Sequence, residues 1–303
     1  MSLFLGIDAG GTKTDYALAD ETRVLARVRG GTIKRMRTDA LTAGTNLDEA
    51  LRQLTTATGR DMHAVARTCI GTAGETVPLV VDWLRDALGT RIGGALLVLG
   101  DVEIALEAAF PNEGGVVVIA GTGSNVAGRI KRGRVTTTGG YGPVLADQGS
   151  GHRIGQQALR AAFLALDEGR SPHLLEAILG FWNLASKEAL VAYANSLPAP
   201  DLSELTTPIL TCAASGDEVA SDVLRAQGVE LAYLVRLMMR RLRRFAGTER
   251  WTPPLALTGS IVEHVPLVRE ALLADVRQEF PELAVREGVI DPIDGAIARA
   301  RHG

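Results

Sequence analysis

A chain of 303 residues is long enough to form two domains, each with its own hydrophobic core. The formal net charge of −3 argues against a general attraction to nucleic acids or anionic membranes, and no apolar run reaches the roughly 18 residues of a membrane span. Cys69 and Cys212 are too few for a disulfide framework, so we expect a cytoplasmic protein with neither membrane nor nucleic acid as partner.

The first motif is a strand, a glycine turn and a second strand. Residues 5–18 are LGIDAGGTKTDYAL, an apolar run with one acid, Asp8, followed by Gly10-Gly11-Thr12 and by alternating polar and apolar residues. This pattern is typical of a β-hairpin. Backbone N–H groups and a Thr hydroxyl in such a turn can bind a phosphate, and the carboxylate can attract its magnesium ion. An ordinary glycine-rich hairpin is the alternative.

Predicted strands and helices then alternate, which predicts an α/β sheet with functional loops at its strand ends. Asp101 is such a residue, because it directly follows an apolar strand and Gly100. The predicted strands are 24–28, 66–70 and 95–99, and the predicted helices are 46–58, 78–88 and 102–110.

The pattern of the first hairpin occurs again near residue 115. Residues 115–128 form an apolar strand, a Gly121-Thr122-Gly123 turn and a second strand, and 135–138 supplies a third. Superimposing Ala120-Gly121 on Ala9-Gly10 gives a weak internal repeat, which predicts a duplicated fold. Beyond it we predict a helix over 155–166, a mostly helical centre over 156–250, a strand at 255–258 and a final helix over 292–301.

With these motifs in place, the chain resembles the acetate and sugar kinase/Hsc70/actin superfamily. Within it, the N-acetylglucosamine kinases and BadF/BadG/BcrA/BcrD ATPases are the most similar group. The resemblance covers essentially the whole chain and implies a duplicated ribonuclease H-like (actin-like ATPase) fold, with ATP in the cleft between two lobes. The expected lobes are 1–112, joined by a C-terminal helix at about 291–303, and 113–290. The motifs that carry the resemblance are 6–14, 120–124, the glycine-rich loop 139–151 and 257–260.

The resemblance also implies roles for individual residues. Asp8 matches the acid that holds magnesium through water, and Asp101 matches the catalytic acid at a strand end. Asp147 matches the carboxylate that binds sugar hydroxyls, with Gly140 beside it and Thr72 near the substrate. The implied ATP ligands are Gly10, Gly11, Thr12, Lys13, Gly121, Thr122 and Gly123 at the phosphates, and Gly259 and Ser260 at the adenosine.

The implied activity is an ATP- and Mg²⁺-dependent kinase that phosphorylates an amino sugar, N-acetylglucosamine or glucosamine, at O6. Phosphoryl transfer needs positioning, charge neutralisation and a carboxylate near the attacking hydroxyl, which the two turns, Asp8 and Asp101 would supply. Two structural alternatives stay open. Asp101 is a favoured residue for capping a helix that starts at Val102, and Asp147 could stabilise its own loop. A homodimer is expected from the family alone.

The sequence departs from the amino-sugar kinase pattern in ways that concern the substrate. Gln148 stands where the pattern has Glu, and Tyr141 where it often has Trp. The loop after the third strand usually carries a Ser-Asn-type pair that contacts the sugar, but here residues 31–37 are GTIKRMR. One interpretation is a solvated basic loop. The other is that a carboxylate on the substrate, such as that of N-acetylmuramic acid, is bound by Lys34, Arg35 or Arg37. Of the three, we predict Arg35 as the substrate-binding residue.

A different class of function is a BadF-type ATPase or sugar sensor without kinase activity. The activators of 2-hydroxyacyl-CoA dehydratases in this group hold an iron–sulfur cluster between the cysteines of two subunits. Neither Cys69 nor Cys212 lies at the position after the second phosphate hairpin where that resemblance requires a cysteine, so this branch is disfavoured. The histidines show no metal-ligand spacing, and we predict no structural metal.

One predicted helix has an arginine-rich face opposite its apolar face. Without interleaved aromatic residues or overall basic charge, we interpret this face as a solvated surface or a subunit contact rather than a nucleic-acid surface. The arginines concerned are Arg236, Arg240, Arg241, Arg243 and Arg244.

Overall fold

The computed structural model describes residues 2–131 and 133–302 and divides the chain into two units. The first unit extends to Gly115 and takes up the chain again from Gly288, and the second is Val116–Glu287. Among the described residues, no helix combines the length and the apolar character that crossing a bilayer demands.

The first unit contains a five-stranded sheet in the order β3-β2-β1-β4-β5. Its first three strands are an antiparallel meander, and β4 and β5 continue from β1 in parallel. The C-terminal ends of β1, β4 and β5 therefore lie at one edge of the sheet. The strands are β1 (Leu3–Ala9), β2 (Lys13–Ala19), β3 (Val24–Gly31), β4 (Val65–Thr72) and β5 (Ala95–Leu99).

Helices cover both faces of this sheet. On one face α1 and α2 pack over Leu5, Ile7 and Leu18, which are fully buried. On the other face lie α3 and the C-terminal helix, where a Cβ at Gly295 would stand 1.9 Å from the carbonyl oxygen of Ile104, so only glycine permits this close approach. The helices are α1 (Ala40–Thr58), α2 (Pro78–Gly89), α3 (Asp101–Ala109) and the C-terminal helix (Pro292–His302).

The second unit has a four-stranded sheet in the order β8-β7-β6-β9, the order in which the first sheet arranges its first four strands. Val285 forms an isolated parallel bridge to Leu255, on the outer side of β9. The duplication predicted from the glycine turns is thus present in the topology of both sheets. The strands are β6 (Gly115–Ala120), β7 (Ser124–Arg129), β8 (Thr136–Gly139) and β9 (Leu255–Thr258).

A large helical insertion between β8 and β9 distinguishes the second unit. The buried faces of its helices form one core with the sheet, which includes Ile154, Leu231, Val235 and Leu257. The helices of this unit are α4 (Gly151–Asp167), α5 (His173–Phe181), α6 (Lys187–Ala194), α7 (Thr206–Ala214), α8 (Glu218–Ala246), α9 (Ser260–His264) and α10 (Pro266–Glu279).

The arginine-rich face of α8 is used largely within the second unit. Arg240 makes a bidentate pair with Glu279 of α10, with N–O distances of 2.6 and 2.5 Å. Arg243 lies over the ring of Phe280 and donates to the carbonyl of Trp251, and Arg241 donates to the carbonyl of Thr137. These contacts account for Arg240, Arg241 and Arg243 through α10 and Phe280 after it, the β8 strand and the loop at Trp251.

Most predicted elements are present with shifted ends. The predicted helix 46–58 begins already at Ala40, because the Asp39 carboxylate accepts the N–H of Thr42 at 2.9 Å and caps an earlier first turn. The helix predicted from 155 begins at Gly151, where the hydroxyl of Ser150 accepts the N–H of Arg153.

Candidate active site

Asp8 lies near the end of the central strand of the first unit. In the sheet register it stands opposite Asp15 of β2 and Gly71 of β4, and the next residue, Ala9, stands opposite Thr72. Thr72 is buried, with its hydroxyl within 3.4 Å of the carbonyl of Ala9. A carboxylate and a hydroxyl side chain therefore occur together at the edge of the sheet where β1 and β4 end.

The environment of Asp8 disfavours its negative charge. Its pKa is raised from the ordinary 3.8 to about 7, first by burial and then by the negative charge of Asp101. Asp15 and Asp291 act in the same direction, and Lys13 acts against them. The negative charges that raise the pKa of Asp8 create a local potential that attracts a cation.

Asp101 is brought to the same edge by β5. The helix α3 starts at Asp101 itself, with Gly100 as its N-cap residue, so the alternative in which Asp101 caps a helix from Val102 is wrong. Asp101 lies in the first turn, where its Oδ1 accepts the Val102 N–H at 2.8 Å. A capping residue would instead bond the N–H two or three positions further on.

Burial raises the pKa of Asp101, and two neighbours act on it in opposite directions. The Lys34 ammonium favours its ionised form, and the negative charge of Glu75 disfavours it. Glu75 is close in space, because a Cβ added to Gly100 would stand 3.4 Å from its Oε1. A buried carboxylate with a raised pKa is a stronger base than an exposed one, which suits a group that must accept a proton.

The loop that carries Lys34 is attached to the first glycine turn. The Thr32 hydroxyl donates to the Gly10 carbonyl at 2.8 Å and accepts the N–H of Lys34 at 3.1 Å. The amide of Asn46 on α1 donates to the Thr32 carbonyl at 2.9 Å. The loop after β3 is therefore held over the turn through its backbone as well as a side chain.

The side chain of Arg35 has other partners in the same unit. Its guanidinium donates to the Thr38 carbonyl and lies 5.9 Å from the ring centre of Trp83 on α2. Burial raises the pKa of Asp101, and the cation that opposes this shift is Lys34 rather than Arg35. A substrate contact by Arg35 stays a prediction, and the structure commits its guanidinium to the protein.

In the second unit the carbonyl groups of the glycine turn accept hydrogen bonds from the start of α4. The N–H groups of Gly151 and His152, at the start of α4, donate to the carbonyls of Gly121 at 2.7 Å and Thr122 at 3.2 Å. The turn itself is closed by the Gly121 N–H, which donates to the Gly123 carbonyl at 2.9 Å. Thr122 remains exposed, as does Thr12 in the first turn.

Asp147 lies against this second turn rather than in open solvent. It is buried, has a positive φ of 67°, and its carboxylate accepts the backbone N–H of Ser124. Burial raises its pKa, which that hydrogen bond opposes. The loop-stabilising alternative is thus present in the structure, while the role in binding sugar hydroxyls stays a prediction.

Two amide oxygens near these residues have no donor within the part of the chain that the structure describes. They are Asn125 Oδ1 on β7, whose side chain packs against Gly140, and Gln148 Oε1 in the glycine-rich loop. Buried acceptors normally have a partner, so both suit a ligand that brings hydroxyl or amide donors.

A cavity of about 260 Å³ in the second unit is lined by residues of both ATP motifs expected in this unit, 120–124 and 257–260. Gly259 makes their approach possible, because its φ of 104° is unfavourable for other residues and a Cβ would stand 2.5 Å from the Ala120 carbonyl oxygen. The lining includes Gly121, Thr122, Ser260 and Ile261, and from α7 Thr206 and Thr207. This mixture of hydroxyl groups and apolar carbon suits a ribose or base.

Comparison with known proteins identifies the family. A family model described as the BadF/BadG/BcrA/BcrD ATPase family matches residues 5–299. The chain belongs to this family. It is 28% identical to the N-acetylmuramic acid/N-acetylglucosamine kinase of Clostridium acetobutylicum, over 99% of each chain. It is 27% identical to the N-acetyl-D-glucosamine kinase of Dictyostelium discoideum, over 97% of this chain and 96% of that protein.

A solved structure supports the fold. The ROK family glucokinase of Streptomyces griseus, in complex with glucose and AMPPNP, is 20% identical and superposes on the chain with a TM-score of 0.58, over 100% of each chain. The predicted BadF/BadG/BcrA/BcrD membership and the predicted actin-like ATPase fold are confirmed.

Sequence reasoning missed several residues of the candidate site. Glu75 follows the predicted strand 66–70 by a short glycine loop, and strand-end acids are the class from which we chose Asp101. Asn125 comes two residues after the glycine turn of the second hairpin, and a polar residue at that place is a usable signal. Thr206 and Thr207 come from the helical insertion, and no motif connects them to the glycine turn.

Proposed function

We propose that this protein transfers the γ-phosphoryl group of ATP to a hydroxyl group of an amino sugar, N-acetylglucosamine or glucosamine, at O6. The observation that carries the proposal is the placement of Asp8 and Asp101 at one edge of the first sheet, beside a glycine turn. Relatives aligned over nearly the whole chain and named as kinases of such sugars support the substrate class.

In this proposal Asp101 is the general base. Its carboxylate accepts the proton of the sugar hydroxyl as that oxygen forms a bond to the γ-phosphorus, and the bond from phosphorus to the β,γ-bridging oxygen breaks to release ADP. Burial raises the pKa of Asp101 and so strengthens it as a base, while Lys34 favours the ionised form that the reaction needs. General base catalysis of this kind contributes typically about 10²–10⁴-fold.

The residues at the edge of the first sheet fit a magnesium ion. Among the described residues there is no group of three or more His, Cys, Asp or Glu side chains that could hold a metal. Mg²⁺ needs no such group, since it usually keeps several waters and binds one or two carboxylates together with substrate phosphates. Asp8, with its raised pKa and acidic neighbours, would hold it through water. When bound, the ion would neutralise phosphate charge.

Each unit, taken by itself, contains groups suited to bind part of a nucleotide. The N–H groups of the turns around Gly11 and Gly123 and the exposed hydroxyls of Thr12 and Thr122 are suitable phosphate donors. The cavity beside Ser260 would take part of the adenosine. For the sugar, Asp147 and the unpartnered Asn125 Oδ1 are suitable acceptors for hydroxyl groups.

A coupled assay of ADP release tests the proposal. The purified protein is given ATP and Mg²⁺ with glucosamine, N-acetylglucosamine, N-acetylmuramic acid, glucose or no sugar. We expect strong stimulation by one amino sugar and little release without sugar. Sugar-independent release, or none with any sugar, would contradict the kinase and favour an ATPase or a sugar sensor. Phosphate position in the product, determined by NMR, tests the O6 assignment.

N-acetylmuramic acid is a second candidate substrate. One relative is named for both N-acetylmuramic acid and N-acetylglucosamine, and the loop over the first turn carries cationic side chains. Preference for the muramic compound over N-acetylglucosamine in the same assay would support it. The homodimer stays a prediction, which light scattering of the purified protein tests.

A further inference from the structure

Two cations in the loop after β3 make no close ion pair with an acidic side chain among the described residues. The side-chain nitrogens of Lys34 and Arg37 make no hydrogen bond or ion pair with any of the residues described. Other cations nearby differ in this respect. Lys13 lies 3.8 Å from the Asp15 carboxylate, Arg29 pairs with the same carboxylate at 2.6 Å, and Arg35 donates to a carbonyl.

The two side chains lie together at the first glycine turn. The nearest atom to a Cβ built on Gly11 is Arg37 Nε, at 3.9 Å, so the guanidinium stands directly over the turn. Burial lowers the pKa of the half-buried Lys34 ammonium; Asp101, Glu75 and Asp8 oppose this shift, and Arg37 adds to it. Both cations therefore border the place where the first turn and the strand-end acids meet.

The backbone holds the loop in this arrangement. Thr32 connects the Gly10 carbonyl to the Lys34 N–H, and the N–H groups of Arg37 and Thr38 both donate to the Lys34 carbonyl, at 2.8 and 3.2 Å. The loop is thus a tight turn attached to the phosphate hairpin. The exposed Arg37 guanidinium repels the half-buried Lys34 ammonium, and an anion bound between the two cations would offset this repulsion.

We propose that Lys34 and Arg37 form an oxyanion site over the first glycine turn. The ligand is an anionic oxygen cluster, which has two sources in the proposed reaction: the terminal phosphoryl group of ATP, or a carboxylate on the acceptor sugar. Arg37 supplies a planar donor set that pairs with either group through two hydrogen bonds, and Lys34 supplies a point charge next to Asp101. If the ligand is the phosphoryl group, the proposal requires only that the protein binds ATP. If the ligand is the sugar carboxylate, it rests also on the proposed kinase activity.

Nucleotide binding tests the first source without any turnover. Dissociation constants for ADP and for the non-hydrolysable β,γ-imido analogue of ATP are measured by calorimetry, with Mg²⁺, for the wild type, Lys34→Met and Arg37→Met. We expect the preference for the analogue over ADP to fall about 10-fold or more in each variant, the range for hydrogen bonds to charged groups. Lys187→Met, which removes an exposed ammonium on α6, is the matched control and should keep the wild-type preference.

Acceptor kinetics test the second source. KM is measured for N-acetylglucosamine and N-acetylmuramic acid with the same variants at saturating ATP. A carboxylate ligand predicts a rise in KM of about 10-fold or more for the acidic sugar alone, and partial rescue by Lys34→Arg. Thermal unfolding of each variant identifies a loss of folding, which would lower affinity for ADP as well.

The two experiments distinguish the phosphoryl ligand from the carboxylate ligand. A lost preference for the ATP analogue assigns the site to the phosphoryl group, even if no sugar is phosphorylated, and a selective loss for the acidic sugar assigns it to the acceptor. The site is excluded if both variants keep the wild-type nucleotide preference and the wild-type ratio of the two sugar KM values.

Discussion

The two glycine turns have the same order of strands around them but different surroundings. In each, the loop that follows the third strand reaches back to the carbonyl of the equivalent glycine: the Thr32 hydroxyl donates to Gly10, and the Gly151 N–H donates to Gly121. The first turn then carries the cations Lys34 and Arg37 and has Asp8 beside it. The second has a buried acid, Asp147, and a helix N-terminus.

The difference shows where a duplicated fold diverges in function. The sheets and the attachment of the loop to the glycine carbonyl are kept in both units, as the proposed binding of a phosphate at each turn would require. The side chains of the loop are free to change. In the first unit they place charge next to the proposed base, and in the second they place acceptors suited to sugar hydroxyls, Asp147 and Gln148.

The largest expected effects come from substituting one acid in each unit, Asp101 and Asp147, which should change different kinetic constants. In Asp101→Asn the base is lost, and we expect kcat to fall by about 10²–10⁴-fold while ATP affinity is retained. In Asp147→Asn the amide oxygen can still accept the Ser124 N–H, so stability should change little. Its sugar KM should rise by about 10-fold, through the loss of charged hydrogen bonds. Steady-state kinetics and nucleotide titration measure both.

The matched control for these two substitutions is Asp86→Asn, which removes an exposed acid on α2. It should behave as the wild type in both assays. Near-normal turnover of Asp101→Asn would remove this residue from the mechanism, and an unchanged sugar KM in Asp147→Asn would leave Asp147 with a structural role only.

Asp8→Asn should affect activity and the pH dependence of stability together. The native state keeps a proton on Asp8 between the ordinary pKa of 3.8 and about 7, where the unfolded chain has lost it. The free energy of unfolding of the wild type therefore falls as pH rises through this range, by about 1.4 kcal/mol per pH unit from this group. The variant should lack that slope and be more stable than the wild type at pH 8 without Mg²⁺.

Magnesium should reverse the order of stability. Added Mg²⁺ with nucleotide is expected to stabilise the wild type at pH 8 more than the variant, and turnover of the variant should be lower by about 10²-fold or more. Urea unfolding at pH 4.5 and 8, with and without Mg-nucleotide, gives all these values. Equal slopes for the two proteins would show that Asp8 titrates normally.

A substitution directly after β9 tests the close approach of this strand end to Ala120, the residue before the second turn. Gly259→Ala places a methyl group 2.5 Å from the Ala120 carbonyl at a φ of 104°, and we expect a loss of about 3 kcal/mol in the free energy of unfolding. Gly216→Ala is the control, since its φ is 90° but nothing lies within 4 Å of the added carbon. It should lose only about 1 kcal/mol of conformational strain. Equal losses would show that the contact with Ala120 relaxes freely.

The sequence predicted the parts of this molecule that depend on periodicity and on strand ends. Apolar runs that stop at glycine marked β1, β4, β5 and β6, and an acid after such a run marked Asp101. The orientation of a loop side chain has no such period. Arg35 and Lys34 are neighbours in the chain, yet Arg35 stacks on Trp83 while Lys34 interacts with Asp101, and only the tertiary structure separates them. The same holds for Thr206, which reaches the second turn from the helical insertion.

The smallest expected effect concerns the attachment of each loop to its turn. Thr32→Val leaves the Gly10 carbonyl without its donor and the Lys34 N–H without its acceptor, so we expect a loss of about 1–2 kcal/mol in stability. Ser124→Ala removes one bond, to the Gln148 carbonyl at 2.7 Å, and should lose about 1 kcal/mol. Chemical unfolding measures both.

A double-mutant cycle determines what the Thr32 attachment does. If it positions the cation, Thr32→Val weakens binding of the ATP analogue in the wild type but has little further effect when Lys34 is already Met. Ser124→Ala should instead be additive with Lys34→Met, because the Ser124 hydroxyl is engaged by the Gln148 carbonyl of its own unit. Additive effects of Thr32→Val and Lys34→Met would show that Thr32 stabilises the hairpin without positioning the ammonium group, and the loop would then differ from its counterpart in charge alone.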